Sequence, residues 1–231
     1  RSISDRGMRY TVVLSDGDAK TLDHLNKIKV YPEVTIEKKE CLNHVAKRLG
    51  TALKNTVKYW SSRGVTLGGR QPGALKETTI EKLCSYYRKA ICDNTPNVPE
   101  IKKAIDATLS HYMSSDSKPQ HEKCPQGPTS WCFYNKGLAE GKRPSHDNMK
   151  VTLSELVVSK IMPCYQRLTD TSLLKRCTKK TQNANESVHS VIWNKCPKEV
   201  FISKFKLELA VVKAVADFNM GCAKTQEVSH V

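Results

Sequence analysis

Tyr10-Thr11-Val12-Val13-Leu14-Ser15-Asp16-Gly17-Asp18 is the stretch on which the fold turns. Its β-branched and apolar run, bounded by Gly7 and by Asp16-Gly17, reads as a buried strand. Asp16 then falls at the strand's C-terminal end, where ligands collect in open α/β sheets. Two carboxylates beside a glycine can hold Mg²⁺, a hard cation that seeks oxygen. The same Asp-Gly pair is also a strong turn signal, and the local sequence leaves both readings standing.

Outward from that strand, residues 19–28 read as a short helix with Leu22, Leu25 and Ile28 inward, and Val34-Thr35-Ile36 as a second strand after Pro32. A long helix is predicted from Cys41 to Trp60, because Leu42, Val45, Leu49, Leu53 and Val57 recur at three- and four-residue spacing. Residues 61–77 carry Gly68-Gly69 and Pro72-Gly73 and read as a loop. Thr78-x-x-Glu81 resembles a capping box opening the next helix, with Ile80, Leu83, Tyr87 and Ile91 inward. A further helix carries Ile101, Ile105, Leu109 and Tyr112. Residues 114–150 lack periodicity, contain four prolines and need a local staple. Beyond them, a helix through Leu153, Leu156, Val157 and Ile161 is expected to end at Pro163. A short one holds Leu173-Leu174, another runs from Asn185 to Trp193, and the last spans Lys204 to Asn219 with Gly221 as its stop. Two short strands cannot make a stable sheet with a buried face. The chain starts at Arg1 rather than Met, so it is expected to be a piece of a longer protein whose missing strands come first.

The chain has 231 residues, 39% of them hydrophobic, enough for a real core. Lys and Arg number 38 against 23 Asp and Glu, a formal net charge of +15. That excess says little about fold but favours an anionic partner, nucleic acid first. A solvated basic surface is the plainer alternative. No leader peptide, lipidation signal or membrane-length apolar run is visible, so no membrane partner is expected.

Nine cysteines, an odd number, fit thiols or metal ligands better than a disulfide framework. His111, His121-x-x-Cys124 and Trp131-Cys132 put four soft or borderline donors into the segment that lacks periodicity. That set suits tetrahedral Zn²⁺, whose binding would supply the folding energy the loop lacks. His146 is an alternative to His111, and free cysteines in a helical subdomain are the competing reading. Cys41-x-x-His44 at a helix start is a weaker metal pair, equally readable as a buried thiol beside a hydrogen-bonded imidazole. Cys84, Cys92, Cys164, Cys196 and Cys222 read as ordinary buried thiols. Glu186 opens a helix within the polar cluster Gln182, Asn183 and Asn185, downstream of Lys179 and Lys180. It can serve the helix dipole alone. Alternatively, the amides orient its carboxylate or contact a nucleic-acid backbone.

These blocks occur in an order that resembles the Mutator-like transposase domain of animal mobile elements. The matching runs are Arg9 to Thr21, Glu40-Cys41-x-x-His44 to Gly50, His121-x-x-Cys124-Pro125, Ser130-Trp131-Cys132, Lys180 to Ser187, and Trp193 to Lys198. The resemblance implies an α/β chain, mostly helical as it stands. In it a partial RNase-H-like core, its first strands missing, is interrupted by a large helical, zinc-containing insertion. Residues 1–60 would carry the core strand and the Cys-x-x-His helix, 61–170 the insertion, and 171–231 the core helices with the catalytic Glu.

The family's Asp-Asp-Glu triad works with two Mg²⁺ (or Mn²⁺) ions on DNA phosphodiesters. Asp16 matches its second Asp, with Asp18 as the neighbouring candidate, and Glu186 matches its Glu. Lys179, Lys180, Asn183 and Asn185 would meet DNA. The first Asp would lie upstream of Arg1, so the chain alone is expected to be catalytically incomplete. The resemblance also implies double-stranded DNA partners (transposon ends and target), a homo-oligomer at full length and a nuclear location. An inactive, domesticated or remnant zinc-stabilised DNA-binding protein would share the charge and the zinc residues without an intact triad. An RNase-H-type nuclease acting on RNA is a third reading. It is disfavoured by 6% aromatic content with no interleaved aromatic and basic motif.

Overall fold

A computed structural model describes residues 2–15, 19–149, 151–179 and 183–221. It is mostly helical, with one small parallel sheet. After a short helix α1 (Ser2–Arg6), β1 (Val12–Ser15) leads through α2 (Ala19–Lys27) to β2 (Glu37–Glu40). The two strands pair in parallel, with Val12 opposite Glu37 and Ser15 opposite Glu40. A parallel pair requires a crossover, and α2 supplies it. Glu40 also bridges in parallel to Cys177, so a third piece of chain reaches the same edge.

The second strand is not where apolar β-propensity put it. It is Glu37-Lys38-Lys39-Glu40 rather than Val34-Thr35-Ile36. The reason is local. The Asn26 side chain accepts the Ile36 N–H (3.1 Å) and donates to the Ile36 carbonyl (3.3 Å), occupying the groups a strand partner would need. The ladder therefore starts one residue later. Its charged side chains are tolerated because they pair: Lys39 with Glu37, and Lys38 with Glu40.

The helical body is built by α3 (Leu42–Ser61), α4 (Glu77–Asn94), α5 (Val98–Met113), α7 (Glu155–Leu168) and α8 (Thr171–Arg176). A shorter α6 (Phe133–Ala139) lies in the segment that showed no periodicity. The α3 stripe points inward as its spacing predicts: Leu42, Val45, Leu49 and Leu53 are buried and Val57 packs against them. Helix α3 packs on α4 and α7, and α4 on α5, with Leu83, Tyr87, Ile91, Ile101, Ile105 and Ile161 closing the core. Each fully buried Leu or Ile contributes about 1.5–3 kcal/mol relative to exposure.

Three local details depart from expectation. Helix α4 starts at Glu77 with Lys76 as N-cap and no side-chain cap, so Thr78 lies inside the helix. The Glu77 carboxylate is held instead by Lys54 of α3. Helix α7 does not end at Pro163 but continues to Leu168. Proline removes one helical N–H, but Ile161, Tyr165 and Leu168 on either side are buried, and their packing carries the helix through. Leu156, placed inward by the pattern, is half exposed.

The loop before α4 docks on α7 at Gly73, where φ is +77° and an added Cβ would lie 2.9 Å from Ser154 N. The Ser154 N–H donates to the Gly73 carbonyl there.

Packing divides the chain into residues 1–180 and 181–231. In the second unit α9 (Asn183–Lys195) lies against α10 (Lys204–Met220), with Ile192, Cys196 and Ala214 buried. Lys195 pairs with Asp217 at 2.6 Å. Ser203 caps α10 and Gly221 ends it at φ +85°. Among the described residues no helix is long and apolar enough to cross a membrane.

Candidate metal centre

The C-terminal turn of α5, the loop after it and the start of α6 bring His111, His121, Cys124 and Cys132 together. All four are buried, and their ligand atoms lie within 4.8 Å of one another. Each arrives by a local device. His111 sits in the last turn of α5. His121 and Cys124 close one turn, in which the Cys124 N–H donates to the His121 carbonyl at 3.0 Å. Cys132 is the N-cap of α6, and its sulfur accepts the Asn135 N–H at 3.5 Å. The Asn135 side-chain nitrogen also lies within reach of the His121, Cys124 and Pro125 carbonyls, at 3.2, 3.3 and 3.1 Å.

The distances fit a small tetrahedron. His111 Nδ1 is 3.2 Å from His121 Nδ1 and 3.7 Å from Cys124 Sγ. His121 Nδ1 is 4.0 Å from Cys124 Sγ and 3.4 Å from Cys132 Sγ. Zn–N bonds near 2.0 Å and Zn–S bonds near 2.3 Å give tetrahedral edges of roughly 3.3–3.8 Å. Two imidazoles and two thiols, all buried, are a donor set that could hold a structural metal such as zinc. Carboxylate, the donor Mg²⁺ and Ca²⁺ require, is absent from the four.

Electrostatics favour the same occupant. Desolvation holds His121 below the ordinary imidazole range, with His111 and His146 adding to that and Cys132 opposing it. The ring is therefore neutral at pH 7, as a ligand must be. The Cys124 thiol's hydrogen bond holds Cys132 well below the ordinary thiol range, helped by His111 and the Asn135 amide against the effect of burial. Cys124 is pushed up by that same bond and by burial. The two sulfurs thus share one proton, which a dication would displace.

His146 does not replace His111. It stands one layer out, with its Nε2 2.9 Å from His121 Nε2 and 2.7 Å from Ser114 Oγ. Its Nδ1 is 2.6 Å from Asp116 Oδ1. One tautomer assignment satisfies the set: His146 Nδ1–H donates to Asp116, and His121 Nε2–H donates outward. His121 Nδ1 is then left as a lone pair facing Cys132 and His111. Outer partners of this kind orient a metal-ligating imidazole. Ser114 and Asp116 lie between the first two ligands and Asn135 three residues after the last, and none of the three carries any further sequence signal.

The other candidate residues do not join this cluster. Cys41 is the buried residue preceding α3, and His44 lies in that helix's first turn, half-buried. No third His, Cys, Asp or Glu donor joins them among the described residues. Asp16, Asp18, Lys180 and Cys222 lie outside the described residues. Lys179 is exposed after α8, while Asn183, Asn185 and Glu186 are exposed in the first turn of α9 in the second unit. Cys84, Cys92 and Cys164 are partly buried and Cys196 is buried, all as free thiols.

The sheet edge holds a feature that the sequence did not flag. Glu40, 2% exposed, is clasped by Arg48 (2.9 Å), Lys38 (3.3 Å) and Arg176 (3.8 Å). Being opposite Ser15 in register, it lies at the strand end that precedes Asp16.

No curated protein and no solved structure matches this chain. A family model described as Mutator-like transposase matches residues 1–132. The matched stretch takes in both strands, helices α1 to α5 and every residue of the His/Cys cluster, and stops short of the Lys180–Ser187 and Trp193–Lys198 runs. With more than half of its length matched, the chain belongs to the Mutator-like transposase family.

Proposed function

We propose that this chain is part of a DNA transposase that cuts and joins DNA strands with divalent metal, Asp16 and Glu186 being two of its three catalytic carboxylates. The observation that carries the reading is the β1–β2 pair. It is parallel, and β1 ends at Ser15, directly before Asp16, so the acid follows the carboxyl end of a parallel sheet. Family membership supports a transposase-related role, and the net charge of +15 suits a DNA partner. In this reading the strands and α2 are part of an RNase-H-like core. Helices α4 to α7 are its insertion, and α9 presents Glu186. The protein acts in the nucleus, on transposon ends and target DNA, as an oligomer when whole.

A Mg²⁺ or Mn²⁺ pair, when bound, would supply charge stabilisation and an activated oxygen for in-line attack on phosphorus. The chain's own residues supply the carboxylates. Asp16 comes from a strand end and Glu186 from the dipole-favoured first turn of a helix. The His/Cys cluster, when zinc-loaded, ties α5 to α6 and does no chemistry on DNA.

The test is a nicking and strand-transfer assay with Mg²⁺ or Mn²⁺ on protein that includes the upstream sequence. Asp16→Ala and Glu186→Gln variants run beside wild type. Cleavage lost in both variants with DNA binding retained supports the reading. DNA binding without cleavage in the wild type instead supports the second reading, a zinc-stabilised DNA-binding remnant.

A further inference from the structure

The cleft between α3 and the α7–α8 corner belongs to neither the His/Cys cluster nor the acidic strand end. It has a volume of about 960 Å³ and is lined by Lys47, Arg48, Thr51, Asn55, Arg167 and Arg176, among others. Small-molecule sites are mostly apolar with a few polar groups. This wall keeps an apolar part, Ala52, Leu168 and Leu173, but adds four cations, and Thr51, Asn55 and Gln166 can hydrogen-bond beside them. The one acidic residue on it, Asp170, is committed to capping α8, where it accepts the Ser172 and Leu173 N–H groups.

The cations fall into two kinds. Arg48 from α3 and Arg176 from α8 are both tethered to buried Glu40, which fixes a guanidinium on each side of the cleft. A guanidinium held in place loses little freedom when it takes a phosphate. Lys47 and Arg167 are exposed and make no ion pair among the described residues. On the α3 wall, His44 and Asn55 are eleven helical rises apart, or about 16 Å of helix. That is far longer than one phosphate group and matches an extended polyanion. Two of the lining cations, Arg48 and Arg176, are tied to Glu40, the end of β2 that pairs with Ser15.

We infer that this cleft holds the phosphodiester backbone of duplex DNA and leads it toward the β1 strand end. The inference rests on the DNA-transposase reading above for the identity of the polyanion. Contacts of this sort position a duplex without reading its sequence.

The experiment is fluorescence anisotropy of a labelled random-sequence duplex, titrated with the full chain across about 50–200 mM salt. Wild type is compared with Lys47→Ala/Arg167→Ala, and with Lys142→Ala as a control away from the cleft. The melting temperature of each variant is checked, and both truncated side chains are exposed, so folding is retained. The expected result is a double variant whose slope of log K against log salt is shallower by about 2, about 1 per cation. The wild type should then lose about tenfold more affinity than the variant over that salt range. Lys142→Ala should match wild type.

An unchanged slope in the double variant, with wild-type binding intact, overturns the cleft and leaves the transposase reading standing. No duplex binding by wild type overturns both. Tighter binding to RNA than to duplex DNA, with the same slope change, overturns the DNA assignment. Displacement of the duplex by inorganic phosphate at matched ionic strength overturns the extended backbone in favour of a single-anion pocket.

Discussion

The helical core and the segment from residue 114 to residue 149 are both built around buried groups, but on opposite terms. Helices α3, α4, α5 and α7 bury Leu, Ile and Tyr at helical spacing, and their interior needs nothing from outside the chain. The segment buries hardly any aliphatic side chains. Its centre is Cys124, Cys132, His111 and His121, ringed by Trp131, Phe133 and Tyr134. Apolar burial is non-directional and divided among many contacts, whereas four donors around one ion form a directional unit that fails together. The first region should therefore weaken by degrees and the second all at once.

Withholding zinc from the cluster that could hold it is the strongest way to break this comparison. Structural zinc in small domains contributes about 10–16 kcal/mol of apparent binding energy at neutral pH. Cys132→Ser, or chelation, should release amide protection across residues 114–149 while α3 and α4 keep theirs. Hydrogen exchange read by mass spectrometry separates the two. Simultaneous loss of protection in α3 and α4 would mean that the regions are one cooperative unit, and the contrast would be gone.

The opposite perturbation is a cavity in the helical core. Leu49 and Ile161 are both fully buried, and truncating either to Ala should cost about 2–5 kcal/mol. Denaturant melting of the zinc-loaded protein measures this, and zinc stoichiometry should stay at one per chain. Loss of zinc from Leu49→Ala would show that the cluster depends on the core it is contrasted with.

Glu40 tests a third way of holding the chain. Its carboxylate joins β2, α3 and α8 through Arg48, Lys38 and Arg176. Glu40→Gln keeps the shape and removes the charge. Because Arg48 and Arg176 stay partly solvated, the expected cost is about 1–3 kcal/mol, as for a lost charge-assisted hydrogen bond. Thermal melting checks it. A neutral result would mean that the carboxylate's desolvation cancels its three ion pairs.

What was readable in the sequence follows the same division. The α3 stripe from Leu42 to Leu53 was legible because burial repeats with the helical period. His121, Cys124 and Cys132 were legible because metal-ligand residues crowd into a segment with no other means of folding. Features that depend on one distant partner were not legible. Asn26 shifts β2 onto a charged run with poor strand propensity. Lys54 takes the place of a capping box at Glu77. Tertiary packing carries α7 past Pro163. His111 was legible as the fourth ligand, with His146 as its alternative, and the position of the last turn of α5 is what places His111 in the cluster. Asp16 and Glu186 were legible as residue types and spacing only, because no local pattern specifies whether carboxylates 170 positions apart meet.

The smallest effect should come from the outer layer of the metal centre, and there the comparison is most finely drawn. Asp116 is exposed, yet its carboxylate receives the His146 ring and backbone N–H groups and the Ser145 hydroxyl, at 2.6, 3.0 and 3.1 Å. The His146 bond is the main reason that Asp116 is held below the usual carboxylate range. A carboxyl depressed in this way stabilises the fold above its unfolded value near 3.9, and that contribution is lost as pH falls through the lower folded value. Between pH 5 and 8, then, Asp116 should add no slope to the stability curve. Its work in that window is orientation, because it fixes the His146 tautomer, which in turn receives the outward N–H of His121. Asp116→Asn should therefore leave the melting temperature of the helical core unchanged, and weaken zinc about tenfold in a chelator competition at pH 7. Unaltered zinc affinity would reduce the Asp116–His146 pair to a surface contact. A lowered core melting temperature would mean that the outer layer belongs to the helical body and that the boundary between the two regions lies further from the metal than the geometry places it.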